Sequence, residues 1–123
     1  MTPDAEVVDV EAAVRMYIES WHRGDADGMA RSLHGDLVKR TVDRDAPVGS
    51  GNVAEVTRSE MVEWTEQGGG GSLDTPVEIV VEHVEGDIAS ARVGTPEYLD
   101  YVHLVRTASG WRIVNDLYRR RSH

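Results

Sequence analysis

The chain has 123 residues, no cysteine and a formal charge of −9, from 22 acidic against 13 basic residues. Its averaged field repels polyanions and acidic membrane surfaces, so neither a nucleic-acid nor a membrane partner is expected. Without thiols there are no disulfides, thiolate metal sites or cysteine nucleophiles. No stretch approaches the roughly 18 apolar residues of a membrane span, and "MTPDAEVVDVEAAV" lacks the basic and apolar regions of a signal peptide. A soluble, cytoplasmic protein is the expectation.

In the first segment Val10, Ala13, Val14, Tyr17, Ile18 and Trp21 recur at three- and four-residue spacing, which predicts an amphipathic helix. Thr2 is placed to cap it, Pro3 suits its first turn, and Gly24 suits its end. A shorter helix is predicted from Asp25 through Met29 to Leu33. "DLVKRTV" reads as a strand and "DAPVGSGN" as a loop dense in turn residues. Thr57-x-x-Glu60 has the form of a capping box, so "EMVEWTEQ" reads as a third helix that stops at Gly68.

The stretch "EQGGGGSL" looks like a linker, but cutting there leaves pieces of about 67 and 51 residues, each with a thin core. Gly68 to Ser72 is therefore read as an internal loop of one domain spanning residues 1–123. After it, "TPVEIVVEHV", "DIASARVGTP", "YLDYVHLVRT" and "WRIVNDLYR" have strand character and are separated by short turns. Helices followed by a meander predict an α+β fold, with the helices covering one face of a curved, mainly antiparallel sheet. Leu99, Tyr101 and Val105 put apolar groups on one face of the third of these strands, Val102 and Leu104 on the other. The second face needs a cover, and a homodimer through the sheet would supply it.

The stretches "AAVRMYIESWHRGDADGMARSLHGDLVKRTV" and "YLDYVHLVRTASGWRIVNDLY" resemble the nuclear-transport-factor-2-like superfamily, the cone-shaped α+β fold of steroid isomerases and SnoaL-type polyketide cyclases. More narrowly, the chain is similar to the group labelled putative lumazine-binding. The shared features are a helix ending in a Gly-Asp turn, a "LHGD" segment in which Gly35 replaces the usual proline, and the closing hairpin. The likeness runs from about Val10 to Tyr118 and is specific for the fold rather than for an activity.

The resemblance implies two roles. Steroid isomerases pair a helix tyrosine with a protonated strand aspartic acid to stabilise an enolate oxygen, and Tyr17 and Asp100 stand at similar positions. Asp100 lies between Leu99 and Tyr101, so a buried, protonated carboxyl is one reading. The other is an ionised Asp100 paired with an arginine such as Arg92, with Tyr17 as core. The base of those enzymes falls in register with Thr41, which cannot take the role; His34 and Asp43 are the replacements within reach. Asp43 and Asp45 in "DRD" share a strand face and read equally as a solvated pair. Trp21, Trp64, Tyr98 and Val102 are expected to contact a ligand, and Trp111 is a third tryptophan that could line its cavity or serve as core packing.

No metal site is expected, because His34, His83, His103 and His123 fall on separate elements without paired spacing, and no cofactor is expected either. His22 and Asp25 read as surface groups at a helix end, and Arg119 to Arg121 as a solvated basic terminus. Two functions follow: a binder of an aromatic or polycyclic small molecule in an enclosed, largely apolar pocket, or a cofactor-free isomerase, cyclase or dehydratase acting beside a carbonyl.

Overall fold

A computed structural model describes residues 4–42, 45–71 and 74–121. Helix α1 spans Ala5–Arg23 and buries Val10, Val14, Tyr17 and Ile18, the face that the spacing picks out. Its cap is Asp4, whose carboxylate accepts the Glu6 backbone N–H at 2.9 Å; Thr2 and Pro3 lie outside the described residues. Gly24 ends the helix at φ 71°, a left-handed conformation that a glycine adopts without the Cβ penalty. Asp25 is the cap of α2 (Ala26–Ser32) rather than its first residue. Leu33 already belongs to strand β1 (Leu33–Val42), which starts three residues before the expected strand.

Strand β2 (Val53–Val56) was not expected, since "VAEV" follows a glycine-rich loop and is only four residues long. Helix α3 (Arg58–Glu66) has the full Thr57/Glu60 capping box. Arg58 at its start donates to the Ala30 carbonyl at 2.7 Å and the Leu33 carbonyl at 3.4 Å, satisfying acceptors at the end of α2. Two of the glycines that follow are closely packed. Gly69 has φ 49°, and a Cβ there would fall on the Trp21 carbonyl oxygen; one on Gly70 would meet the rings of Trp21 and His22. The Gly70 N–H donates to that same Trp21 carbonyl at 3.0 Å, so the run is fastened to the end of α1.

Strands β3 (Glu78–Glu85), β4 (Ile88–Gly94), β5 (Tyr98–Thr107) and β6 (Gly110–Arg120) form an antiparallel meander, and β1 joins β6 in parallel. The sheet order is β2-β1-β6-β5-β4-β3, so elements from both sides of the glycine run share one sheet. The helices cover one face of it, over a core that includes Val10, Val14, Met29, Val93, Val102 and Ile113. Leu104 pairs with Ile113 and His103 with Asn115, which leaves Val114 as an extra residue in β6. This bulge shifts the alternation by one, so Asp116 turns to the buried face and Leu117 to the exposed one. Among the described residues no helix is long and apolar enough to cross a membrane.

Candidate functional site

The bulge brings four polar side chains together beneath α1. Lys39 on β1 is the cross-strand neighbour of Asp116 on β6, and Asp100 on β5 is that of Tyr118, two residues further along β6. Tyr17 reaches down from the helix. Its hydroxyl accepts from Lys39 Nζ at 2.6 Å and donates to Asp100 Oδ2 at 3.0 Å, with Asp116 Oδ2 at 3.4 Å. Lys39 Nζ lies 3.0 Å from Asp116 Oδ2 and 3.7 Å from Asp100 Oδ2. It also stands 4.4 Å from the centroid of the Tyr118 ring and 5.0 Å from that of Tyr17, within cation–π range of both. All four groups are withdrawn from water, with exposures of 4 % for Tyr17, Asp100 and Asp116 and 2 % for Lys39.

One buried cation cannot neutralise two buried carboxylates, and the distances decide between them. Asp116 holds the shorter ion pair with Lys39. Burial pushes the Asp100 carboxyl well above the usual carboxylate range; the neighbouring Asp116 and their hydrogen bond push it further, while Lys39 and the Tyr17 hydroxyl oppose the shift. Asp100 is therefore the carboxyl that keeps its proton. Burial alone would lower the Lys39 ammonium, but Asp116 and Asp100 outweigh it and hold the group above its ordinary value. Burial and then the two carboxyls raise Tyr17, so it stays a phenol. The cluster reads as one ammonium, one carboxylate and two neutral O–H donors. Asp116 Oδ1 has no hydrogen-bond partner among the described residues.

Above this floor lies a cavity of about 130 Å³ lined by Tyr17, Lys39 and Asp100, by the aromatic groups Trp21, Trp64, Tyr98 and Tyr118, and by His22, Gly70, Thr95 and Glu97. Tyr98 and Tyr118 meet edge to face, with centroids 5.9 Å apart. The Thr95 hydroxyl accepts the backbone N–H groups of Glu97 and Tyr98 at 3.2 and 3.0 Å, fixing the turn at which β5 enters the wall.

Of the residues singled out from sequence, Tyr17 and Asp100 are hydrogen-bonded to each other, and Trp21, Trp64 and Tyr98 line the cavity. Val102 is a core residue next along the same strand face and is not part of the lining. His34 is not brought to the cavity; its Nδ1 accepts the Asp36 backbone N–H at 2.9 Å and ties a turn. Asp43 lies outside the described residues. Arg92, the suggested partner of Asp100, stands 4.0 Å from Glu78 instead. His22, read as a surface group, is half-buried in the cavity wall, with Nδ1 3.0 Å from the Ile18 carbonyl. Because a carbonyl only accepts, Nδ1 carries the hydrogen and Nε2 is left as an acceptor in the neutral ring.

Lys39 and Asp116 were not anticipated. Lys39 carried a signal, for it shares a strand phase with Leu37 and Thr41 in "LVKRTV". Asp116 carried none, because unbroken alternation from Trp111 and Ile113 points it outward.

The architecture is similar to that of nuclear-transport-factor-2-like proteins. The structure of an NTF-2-like protein of unknown function from Silicibacter pomeroyi matches with a TM-score of 0.80 at 23% identity, over 98% of this chain and 100% of that one. One from Methylobacillus flagellatus matches with 0.79 at 17%, over 98% and 96%. A ketosteroid isomerase-like protein from Erwinia carotovora atroseptica matches with 0.69 at 19%, over 98% and 100%. At these identities the likeness is one of fold. The family model described as putative lumazine-binding matches residues 5–119, and the chain belongs to that family. No curated protein matches it.

Proposed function

We propose that the cavity binds a flat heteroaromatic small molecule, which sets a carbonyl or imide edge on the Tyr17–Lys39–Asp100 floor and its ring faces against Trp21, Trp64 and Tyr98. The observation that carries this reading is the floor itself: hydrogen-bond donors and a cation, nearly dry, open to a cavity with aromatic walls. Ligand sites are built this way, with apolar walls supplying contact area and a few fixed polar groups supplying orientation. The floor makes the pocket less apolar than the sequence suggests and favours a ligand with a polar edge. Size argues the same way. A cavity of about 150 Å³ accommodates benzene, so about 130 Å³ takes one ring with its polar edge and leaves a second ring at the mouth. A fused two-ring dione of the lumazine kind, which the family description names, meets these demands better than a four-ring polycycle.

The test is titration of the protein with lumazine, followed by quenching of tryptophan fluorescence. Saturable binding is expected, weakened roughly tenfold or more in Tyr17→Phe, because the Tyr17 hydroxyl hydrogen turns from Asp100 Oδ2 to the ligand oxygen on binding, and a hydrogen bond lost to a buried ligand oxygen is worth about 1–3 kcal/mol. No saturation, or equal affinity in Tyr17→Phe, overturns the assignment. A second reading, proton transfer beside a carbonyl, is favoured by one further observation: His22 lines the same cavity with Nε2 left as an acceptor. It could take the proton while Tyr17 and Asp100 stabilise the resulting enolate. Exchange of the α-hydrogens of a bound ketone with solvent deuterium, abolished in His22→Ala, would favour that reading over simple binding.

The proposal extends to assembly. Tyr101 and Leu117 are cross-strand partners on the face away from the helices and remain 50% and 49% exposed. A second copy laid on that face would cover the pair and make the protein a homodimer through the sheet.

A further inference from the structure

Along the N-terminal half of α1, away from the aromatic cavity, lies a second hollow of about 350 Å³. Three guanidinium groups line it: Arg31 from the last turn of α2, Arg106 from β5 and Arg112 from β6, with Trp111 and the Ser32 and Ser109 residues between them. In a chain of net charge −9 such a convergence runs against the average, and the partners of the three arginines differ. Arg112 donates to the Arg31 backbone carbonyl and is structural. Among the described residues the Arg106 side chain meets only Glu6, at 3.4 Å, in an exposed pair, which contributes little and exchanges readily. The Arg31 side chain makes no hydrogen bond or ion pair among the described residues. Among the described residues Asp9 is the one carboxylate in the lining, against three guanidinium groups, so the hollow keeps a positive excess, with Arg31 unpaired and Arg106 held by its exposed contact to Glu6. Arg106 is also the cross-strand neighbour of Trp111, and both residues line the hollow.

We propose that this hollow is a second binding site, independent of the aromatic cavity, for a small organic oxyanion: a phosphate or carboxylate carried on a flat ring, with the anion held by Arg31 and Arg106 and the ring laid against Trp111. Guanidinium groups recognise both oxyanions through paired N–H donors, and an aromatic neighbour adds contact area for the ring.

The test uses phenyl phosphate and benzoate, with benzyl alcohol as the uncharged control, and follows the three tryptophan indole N–H signals by ¹H–¹⁵N NMR. The Trp111 signal is expected to move saturably with one or both anions while those of Trp21 and Trp64 stay in place; which anion binds more tightly identifies the source chemistry. Arg31→Gln and Arg106→Gln, which leave the Arg112 contact intact, should each weaken binding about tenfold, the size of one charge-assisted hydrogen bond. Asp100→Asn, in the other cavity, should change nothing here. Absence of saturation at tens of millimolar, equal binding of benzyl alcohol, or affinity unchanged in both arginine variants overturns the proposal. None of these outcomes depends on whether lumazine binds.

Discussion

Asp100→Asn is expected to stabilise the protein at neutral pH, although it alters a fully buried hydrogen-bonded residue. Asparagine has the shape of the neutral acid, and its amide N–H group takes the place of the protonated oxygen beside Asp116. In the wild type the folded state holds a proton on Asp100 that the unfolded chain releases above the ordinary carboxylate range. The native state thus binds one proton more, and stability falls as pH rises, by about 1.4 kcal/mol per unit for as long as Asp100 keeps that proton. The group's contribution is complete below the ordinary carboxylate range and is lost as pH climbs towards its raised value. Asparagine has no such slope. Exchanging one set of hydrogen bonds for another costs on the order of 0.5–1.5 kcal/mol at any pH, so the variant should be equal or slightly weaker near pH 4.5. Above that pH the removed slope is worth about 1.4 kcal/mol for each unit over which Asp100 keeps its proton, and by pH 6.5 the variant should be the more stable. Urea unfolding followed by circular dichroism at pH 4.5, 5.5 and 6.5 reads both limbs. A variant that is less stable at pH 6.5, by a margin that does not shrink from pH 4.5 upward, would refute the reasoning, because Asp100 would then be an anion held by Lys39.

The same cluster makes Lys39→Met destabilising by about 3–5 kcal/mol at pH 7, since the buried Asp116 carboxylate loses its ion-pair partner; the loss should narrow at pH 5, where protonation can replace the missing charge, and chemical denaturation at the two pH values checks it. Gly69→Ala would force a left-handed residue against the Trp21 carbonyl and should cost about 1–3 kcal/mol, with a change in tryptophan emission as the loop leaves the end of α1; a free linker would show neither. If the outer sheet face is a dimer interface, sedimentation at micromolar concentration should give twice the chain mass, and Tyr101→Glu should return the monomer mass. A monomer in both samples would mean that the Tyr101–Leu117 pair stays in water.

Much of this architecture could be read from local chemistry. The period of Val10, Val14, Tyr17 and Ile18 sets α1, the Thr57/Glu60 pair marks the start of α3, and the turn residues divide the four meander strands. The short β2 escaped because its four residues gain their strand character from pairing with β1, a contact distant in sequence. The candidate site was legible only in half. Tyr17 and Asp100 were visible through resemblance, while Lys39 acquires its meaning from Asp116, and Asp116 faces inward only because Val114 bulges. A bulge arises from the competition of two neighbouring strands and leaves no mark in the residues of one. His22 was missed for a similar reason: it is the approach of Gly70, from beyond α3, that closes the wall around it.

The most direct test of the central claim, that a neutral Asp100 faces the ligand cavity beside Tyr17, is the ¹³C NMR shift of the Asp100 side-chain carboxyl followed from pH 4 to pH 8. The signal is expected to remain at the protonated position at pH 6, above the range in which an ordinary aspartate ionises, and to move to the ionised position at lower pH in Asp116→Asn, where Lys39 loses the carboxylate it holds. A wild-type signal already at the ionised position by pH 5 would contradict it, and would make Lys39 and Asp100, not Lys39 and Asp116, the ion pair at the floor of the cavity.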